Sequence, residues 1–299
     1  MNISNLTGLA CALFGPLLFP CFNFVQGQDS YWQQEVAYTM DIKFDDAKHR
    51  FSGDQVIVYT NHSPDTLSRV FYHVYFNAFQ PGSMMDVRSR TISDPDARIG
   101  SRIAALTPDE IGYHRIQSLK QDGKKLDFEI VGTVVRVDLH EPMLPGTSTR
   151  LEMAFESQVP VQIRRSGRQN QEGIDYTMTQ WYPKLAEYDQ DGWHTSPYVA
   201  REFHGVFGSF EVNIDMPSEY TLAGTGVVQN PEEVGHGYAR TQPTGDRIVW
   251  RFKAKNVHDF AWAADKEYRH LTTALENGTE LHFFHVNDSA LNGYWDRLV

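Results

Sequence analysis

The side chains best suited to chemistry in this sequence are histidines. His194 and His204 stand ten residues apart in an aromatic loop region. Neutral imidazoles ligate divalent metals, so both are candidate ligands, although hydrogen-bonded structural histidines are the commoner outcome. His282-Phe283-Phe284-His285 has a spacing that sends its two imidazoles to opposite sides of a strand, which disfavours a shared ion. A helical zinc-peptidase centre needs His-Glu-x-x-His, two imidazoles on one face with a general base between them. The one His-Glu pair, His140-Glu141, runs instead into Pro142-Met143-Leu144. Asp189-Gln190-Asp191-Gly192 echoes a calcium loop, but the position of the later bidentate Glu holds Ala200, so a turn is the better reading. Gly224-Thr225-Gly226 is similar to a dinucleotide loop, yet the extended run Val227 to Pro231 follows it, so no helix N-terminus meets a pyrophosphate. No Gly-x-Ser-x-Gly elbow offers a serine nucleophile. Asp45-Asp46 and Glu232-Glu233 are adjacent pairs in turn-like contexts, and neighbours on a strand point apart, so neither is an acid/base pair.

The elements that must position these groups are mostly strands. Val36, Tyr38, Met40, Ile42 and Phe44 alternate with polar residues, the period of a half-buried strand. Gln55 to Thr60 is a second strand, ended by Asn61-His62-Ser63-Pro64-Asp65. Val70 to Phe76 is apolar on both faces and reads as an internal strand. Leu126, Phe128 and Ile130 turn at Gly132-Thr133 and are answered by Val135, Val137 and Leu139, a hairpin. The same alternation marks Leu151 to Phe155, Phe210 to Met216 and Ile248 to Phe252, and Leu281 and Phe283 begin a last strand. Thr107-Pro108-Asp109-Glu110 is a capping box that predicts a short helix before Gln121-Asp122-Gly123. Asp288-Ser289 caps a second predicted helix toward Trp295 and Leu298. Residues 81–105 and 164–175, polar and Arg-rich, read as long loops.

Composition narrows the function. The 299 residues are 41% hydrophobic and 22% charged, which supports a packed core and excludes wholesale disorder. The net charge of -11 argues against a nucleic-acid partner, which needs a basic face, and against docking on anionic lipid. Residues 1–27 carry no charge and run mostly apolar from Leu6 to Val25, reading as a secretory signal peptide with Gln28 as the new N-terminus. A membrane anchor is the alternative, disfavoured by Pro16 and Pro20, and a lipoprotein acceptor at Cys21 is weaker because Phe19-Pro20 precedes it. Cleavage removes both cysteines, Cys11 and Cys21, leaving a secreted or periplasmic protein that depends on core packing. No second apolar run of spanning length follows, so no membrane contact beyond export is expected.

The densest cluster runs Tyr176-Thr177-Met178-Thr179-Gln180-Trp181-Tyr182-Pro183-Lys184, then Tyr188-Asp189-Gln190-Asp191-Gly192-Trp193-His194, Arg201-Glu202-Phe203-His204-Gly205 and Phe207-Gly208-Ser209-Phe210-Glu211-Val212. With Gly123-Lys124-Lys125-Leu126, Pro142 to Gly146, Tyr220 to Gly226 and Val257-His258-Asp259-Phe260-Ala261-Trp262-Ala263, it resembles the N-terminal domain of the M1 family of zinc aminopeptidases, in the secreted bacterial branch. The resemblance covers roughly residues 30–299 and rests on the order and spacing of the pieces together. It implies a mainly β fold: a saddle-like, mostly antiparallel β-sandwich over residues 28–266, then the start of a thermolysin-like α/β catalytic domain over 267–299. It also implies that Gln180 lies near the substrate's free α-amino group, where an amide oxygen accepts from an ammonium. The competing role for Gln180 is a hydrogen bond to loop backbone.

The family's Gly-x-Met-Glu-Asn-type motif, His-Glu-x-x-His and third zinc-ligand Glu are absent from these residues. The chain alone is therefore expected to be inactive, with zinc held by a catalytic domain that completes the protein. Three functions follow as expectations: the N-terminal part of a secreted zinc aminopeptidase acting on peptides; a stand-alone β-sandwich module for peptide or glycan, using Trp181, Tyr182 and Trp193 if these are exposed rather than core; or an inactive regulatory relative that binds free N-termini.

Overall fold

The computed structural model describes residues 31–92, 99–200 and 203–298. The expected signal peptide, residues 1–27, lies outside them. Residues Trp32–Val299 form one compact unit. Its strands follow in chain order: β1 (Glu35–Asp45), β2 (Arg50–Thr60), β3 (Leu67–His73), β4 (Tyr113–Gln121), β5 (Lys124–Lys125), β6 (Phe128–Val131), β7 (Val134–Met143) and β8 (Ser148–Gln158). Short strands β9 (Gly167–Arg168), β10 (Tyr176–Met178), β11 (Lys184–Leu185), β12 (Tyr188–Asp189) and β13 (Gly192–Trp193) follow. The series closes with β14 (Gly208–Pro217), β15 (Thr221–Gly224), β16 (Val227–Val228), β17 (Arg247–Val257), β18 (Trp262–Asp265), β19 (Tyr268–Ala274) and β20 (Glu280–Val286). Helices are short: α1 (Met84–Thr91), α2 (Pro231–Val234) and α3 (Asn292–Trp295).

The large sheet has the order β16-β17-β14-β1-β2-β8-β4-β5. All its pairs are antiparallel except β1 with β14. Their close approach needs Gly208, where a Cβ would strike the Val36 carbonyl. Two four-stranded sheets, β15-β18-β10-β9 and β11-β3-β7-β6, and the hairpins β12-β13 and β19-β20 complete the mainly antiparallel β fold. Val36, Tyr38, Met40, Ile42 and Phe44 of β1 are all buried while their neighbours are not, so the period-two pattern faces one core. Aromatic side chains knit that core between sheets: Phe44 of β1 meets Tyr176 of β10 and Trp262 of β18 edge-on.

Three expectations are corrected. The capping box at Thr107 forms, its N–H and Oγ donating to Glu110 Oε2 at 2.9 and 2.8 Å, but it closes a single turn and β4 begins at Tyr113. No apolar helical face follows that could extend the turn. Residues 81–105 are not all loop, because α1 lies within them, capped by Ser83 and held by Asp86, which accepts from Arg90 at 2.9 and 3.0 Å. The apolar run from Val70 leaves the strand after His73 and becomes a 3-10 turn at Tyr75–Ala78. No helix among the described residues is long and apolar enough to cross a membrane.

Candidate functional site

The loop from β10 to β11 carries the aromatic cluster, and its two largest members are sealed. Trp181 and Tyr182 are 0% exposed. Trp181 packs on Phe51 and Trp262, and its indole N–H donates to the Phe260 carbonyl at 3.0 Å. Tyr182 meets Tyr38 and Phe210 edge-on. These rings are core and offer no glycan platform, because their apolar area is removed from water while each polar tip keeps a partner. Trp193 is half-buried against Tyr59, Phe71 and Tyr188.

Gln180 precedes them with a φ of +48°, in the left-handed region. A residue other than Gly held there costs on the order of 1–3 kcal/mol, and such residues cluster where function demands a geometry. Gln180 is half-buried, and its Nε2 donates to Asp259 Oδ2 at 3.2 Å. A carboxylate only accepts, so the amide nitrogen faces Asp259 and Oε1 takes the other side of the amide. That oxygen has no partner among the described residues.

Asp259 is the hub that holds this arrangement. It also accepts from the Tyr182 hydroxyl at 2.8 Å and the Phe260 N–H at 2.9 Å, with the Lys184 ammonium 3.5 Å away. Lys184 is 4% exposed and donates to the His258 carbonyl at 2.6 Å. Burial pulls its pKa down and Asp259 opposes the pull. Gly205 makes room, since a Cβ there would lie 2.7 Å from Lys184 Nζ. Neither Asp259 nor Lys184 stands out in the sequence as a site residue. The available signal is a lysine inside an otherwise apolar and aromatic stretch.

A second corner brings together groups that the sequence shows separately. Asp189-Gln190-Asp191-Gly192 is a two-residue hairpin turn: Asp189 pairs with Gly192, whose φ is +93°. The turn places Asp189 beside His194, with Nε2 2.7 Å from Asp189 Oδ2. His204 Nε2 lies 3.7 Å from the same oxygen, and the two imidazole rings are 4.4 Å apart. One ligand atom from each of the three lies within 4.8 Å of the others, the one such group among the described residues. Asp189 Oδ1 accepts from the Asp191 N–H at 2.9 Å. Burial raises the Asp189 carboxyl, but Asp191 and His194 outweigh it and hold the group below its usual value. Glu187, 7% exposed, is pushed up to about 7 by burial and by the Asp189 charge. The register of a two-residue hairpin is the signal that joins 189 to 194.

The remaining sequence candidates stay apart. His285 is buried and stacks on Trp295, whereas His282 faces His270 across β19-β20 at 2.8 Å. Gly224-Thr225-Gly226 links two strands and opens no helix. Asp45 pairs with Lys48 and Asp46 with Lys266, so those carboxylates share no substrate position.

No family model matches the chain, and no curated protein matches it. Among solved structures, the chain is similar to a two-domain M1 zinc metallopeptidase, a single-substitution mutant bound to L-tryptophan, at TM-score 0.47 and 12% identity over 84% of this chain and 47% of that one. It is also similar to an M1 zinc metallopeptidase mutant from Deinococcus radiodurans bound to a Tyr-Ser-Ala substrate, at TM-score 0.46 and 13% identity over 85% and 47% of the two chains. The chain spans about half the length of these structures.

Proposed function

We propose that this chain is the substrate-facing β lobe of an exported M1-type zinc metallopeptidase that removes N-terminal residues from peptides. Gln180 carries the reading. Its backbone is strained, its amide nitrogen is tied to Asp259, and its oxygen is left as a lone oriented acceptor at a half-open surface. A substrate α-ammonium donates to such an oxygen, and an N-acylated peptide has lost that charge. The order of the aromatic and glycine motifs along the chain supports the same assignment.

When bound, zinc would supply an activated water for attack on the scissile carbonyl, with a Glu as general base. The residues present do not fit that zinc. They include no His-Glu-x-x-His, and the Asp189, His194 and His204 group comes from a hairpin and a loop, without a helix bearing a base. This chain's own part is to bind and orient the free amine through Gln180, with Asp259 and Lys184 as positioning residues. The catalytic domain that holds the ion is the partner this reading requires, and residues 1–27 direct export.

The test uses protein expressed from the reading frame extended through a zinc helix. Aminoacyl reporters with a free amine should be cleaved, and N-acetylated counterparts should not. Losing one hydrogen bond to a charged group costs about 1.5–3 kcal/mol, so Gln180→Ala should lower kcat/KM for the free amine roughly 10- to 100-fold. Equal cleavage of acetylated reporters, or hydrolysis by the 299-residue chain alone, would sink the reading.

A further inference from the structure

We propose that Asp189, His194 and His204 form a second metal site, independent of the catalytic zinc, which takes a divalent transition ion of the zinc class. Ligands about 2.0–2.1 Å from a tetrahedral ion lie a little over 3 Å from one another. The two imidazole Nε2 atoms lie 2.7 and 3.7 Å from one carboxylate oxygen, distances that bracket that value, and one ligand atom from each of the three residues lies within 4.8 Å of the others. Two imidazoles and a carboxylate suit Zn2+ and its neighbours; Ca2+ and Mg2+ prefer oxygen ligands. Three protein ligands leave a fourth position for water, and His204 and His194 are exposed enough to admit the ion, at 57% and 36%.

The surrounding chain is built to hold the ligands. The His194 carbonyl accepts from His73 Nε2 at 3.0 Å, and its N–H donates to the Glu187 carbonyl at 2.9 Å, so its backbone is tied on both sides. Asp189 Oδ1 is occupied by the Asp191 N–H, which leaves Oδ2 for the ion. Without metal, the ionised Asp189 accepts a hydrogen from His194 Nε2. Binding replaces that bond: the proton leaves Nε2 for Nδ1 or solvent, and the freed lone pair goes to the ion. The ion would clip the β12-β13 hairpin to the segment that leads into β14.

The test needs no catalysis. The 299-residue chain is stripped with chelator, then titrated with Zn2+ against a chromophoric competitor and with Co2+ by visible absorption. The expected result is one site per chain with a Kd below about 100 µM and a tetrahedral Co2+ spectrum. His204→Ala, at an exposed position, should weaken binding by about 100-fold or more, and Asp189→Asn should weaken it as well. His282→Ala, at the other histidine pair, should leave it unchanged. A Kd above that limit, affinity indifferent to His204→Ala, or binding lost with His282→Ala would each overturn the site.

Discussion

Two stretches of one loop region, both dense in aromatic and polar residues, have opposite fates. From Tyr176 to Lys184 nearly every ring and polar tip is enclosed, and the hydrogen bonds of Asp259, Lys184 and Trp181 form a closed set. By contrast Asp189, His194 and His204 sit nearer the rim, and a hairpin brings the first two together. The first stretch leaves one acceptor, Gln180 Oε1, without a partner among the described residues, in densely packed surroundings. The second can gather a ligand because its groups retain room to adjust. Rigidity suits recognition of a fixed donor, whereas modest slack suits capture of an ion that imposes its own geometry.

Removing an enclosed member should have the largest effect. Trp181→Ala empties a site packed by Phe51, Tyr182 and Trp262 and should cost about 3–5 kcal/mol in denaturant unfolding. A loss below about 1 kcal/mol would mean that the stretch is not core. Next comes acid sensitivity of an enclosed histidine far from the rim. His114 is 2% exposed beneath Phe76, and burial lowers its pKa to about 3. The native state keeps it neutral, while the unfolded chain takes up a proton below about pH 6.5. Stability is therefore lost as pH falls from about 6.5 toward 3, by about 2 kcal/mol at pH 5. His114→Gln should flatten that part of the profile, and an unchanged profile would refute the assignment. Gln180→Gly should have the smallest effect on stability. Relief of the left-handed strain offsets the lost bond to Asp259, leaving less than about 1 kcal/mol of change, while free-amine recognition falls as for Gln180→Ala. A large destabilisation would make Gln180 a structural residue.

The sequence disclosed the strands whose alternation is uninterrupted, such as β1, β14 and β17, because one buried face imposes period two. It did not disclose β4, where a register shift between Ile116 and Ser118 breaks that period. It also concealed α1, whose ends are held by Ser83 and an Asp86-Arg90 pair and whose surface is largely polar. At the site, Gln180 was legible as part of a motif. Its anchor, Asp259, lies 79 positions away and became apparent once β10 and β18 were paired in one sheet.

The place of β1 inside the large sheet has a consequence for biogenesis. One flank is satisfied early by β2, but the other waits for the strand that begins at Gly208. A nascent chain shorter than that carries a half-built sheet with a bare hydrogen-bonding edge, open to adhesion between copies. Such distant pairing folds slowly. The polypeptide therefore stays vulnerable until β14 has been synthesised, and truncations before β14 should accumulate as aggregates rather than as a smaller folded domain.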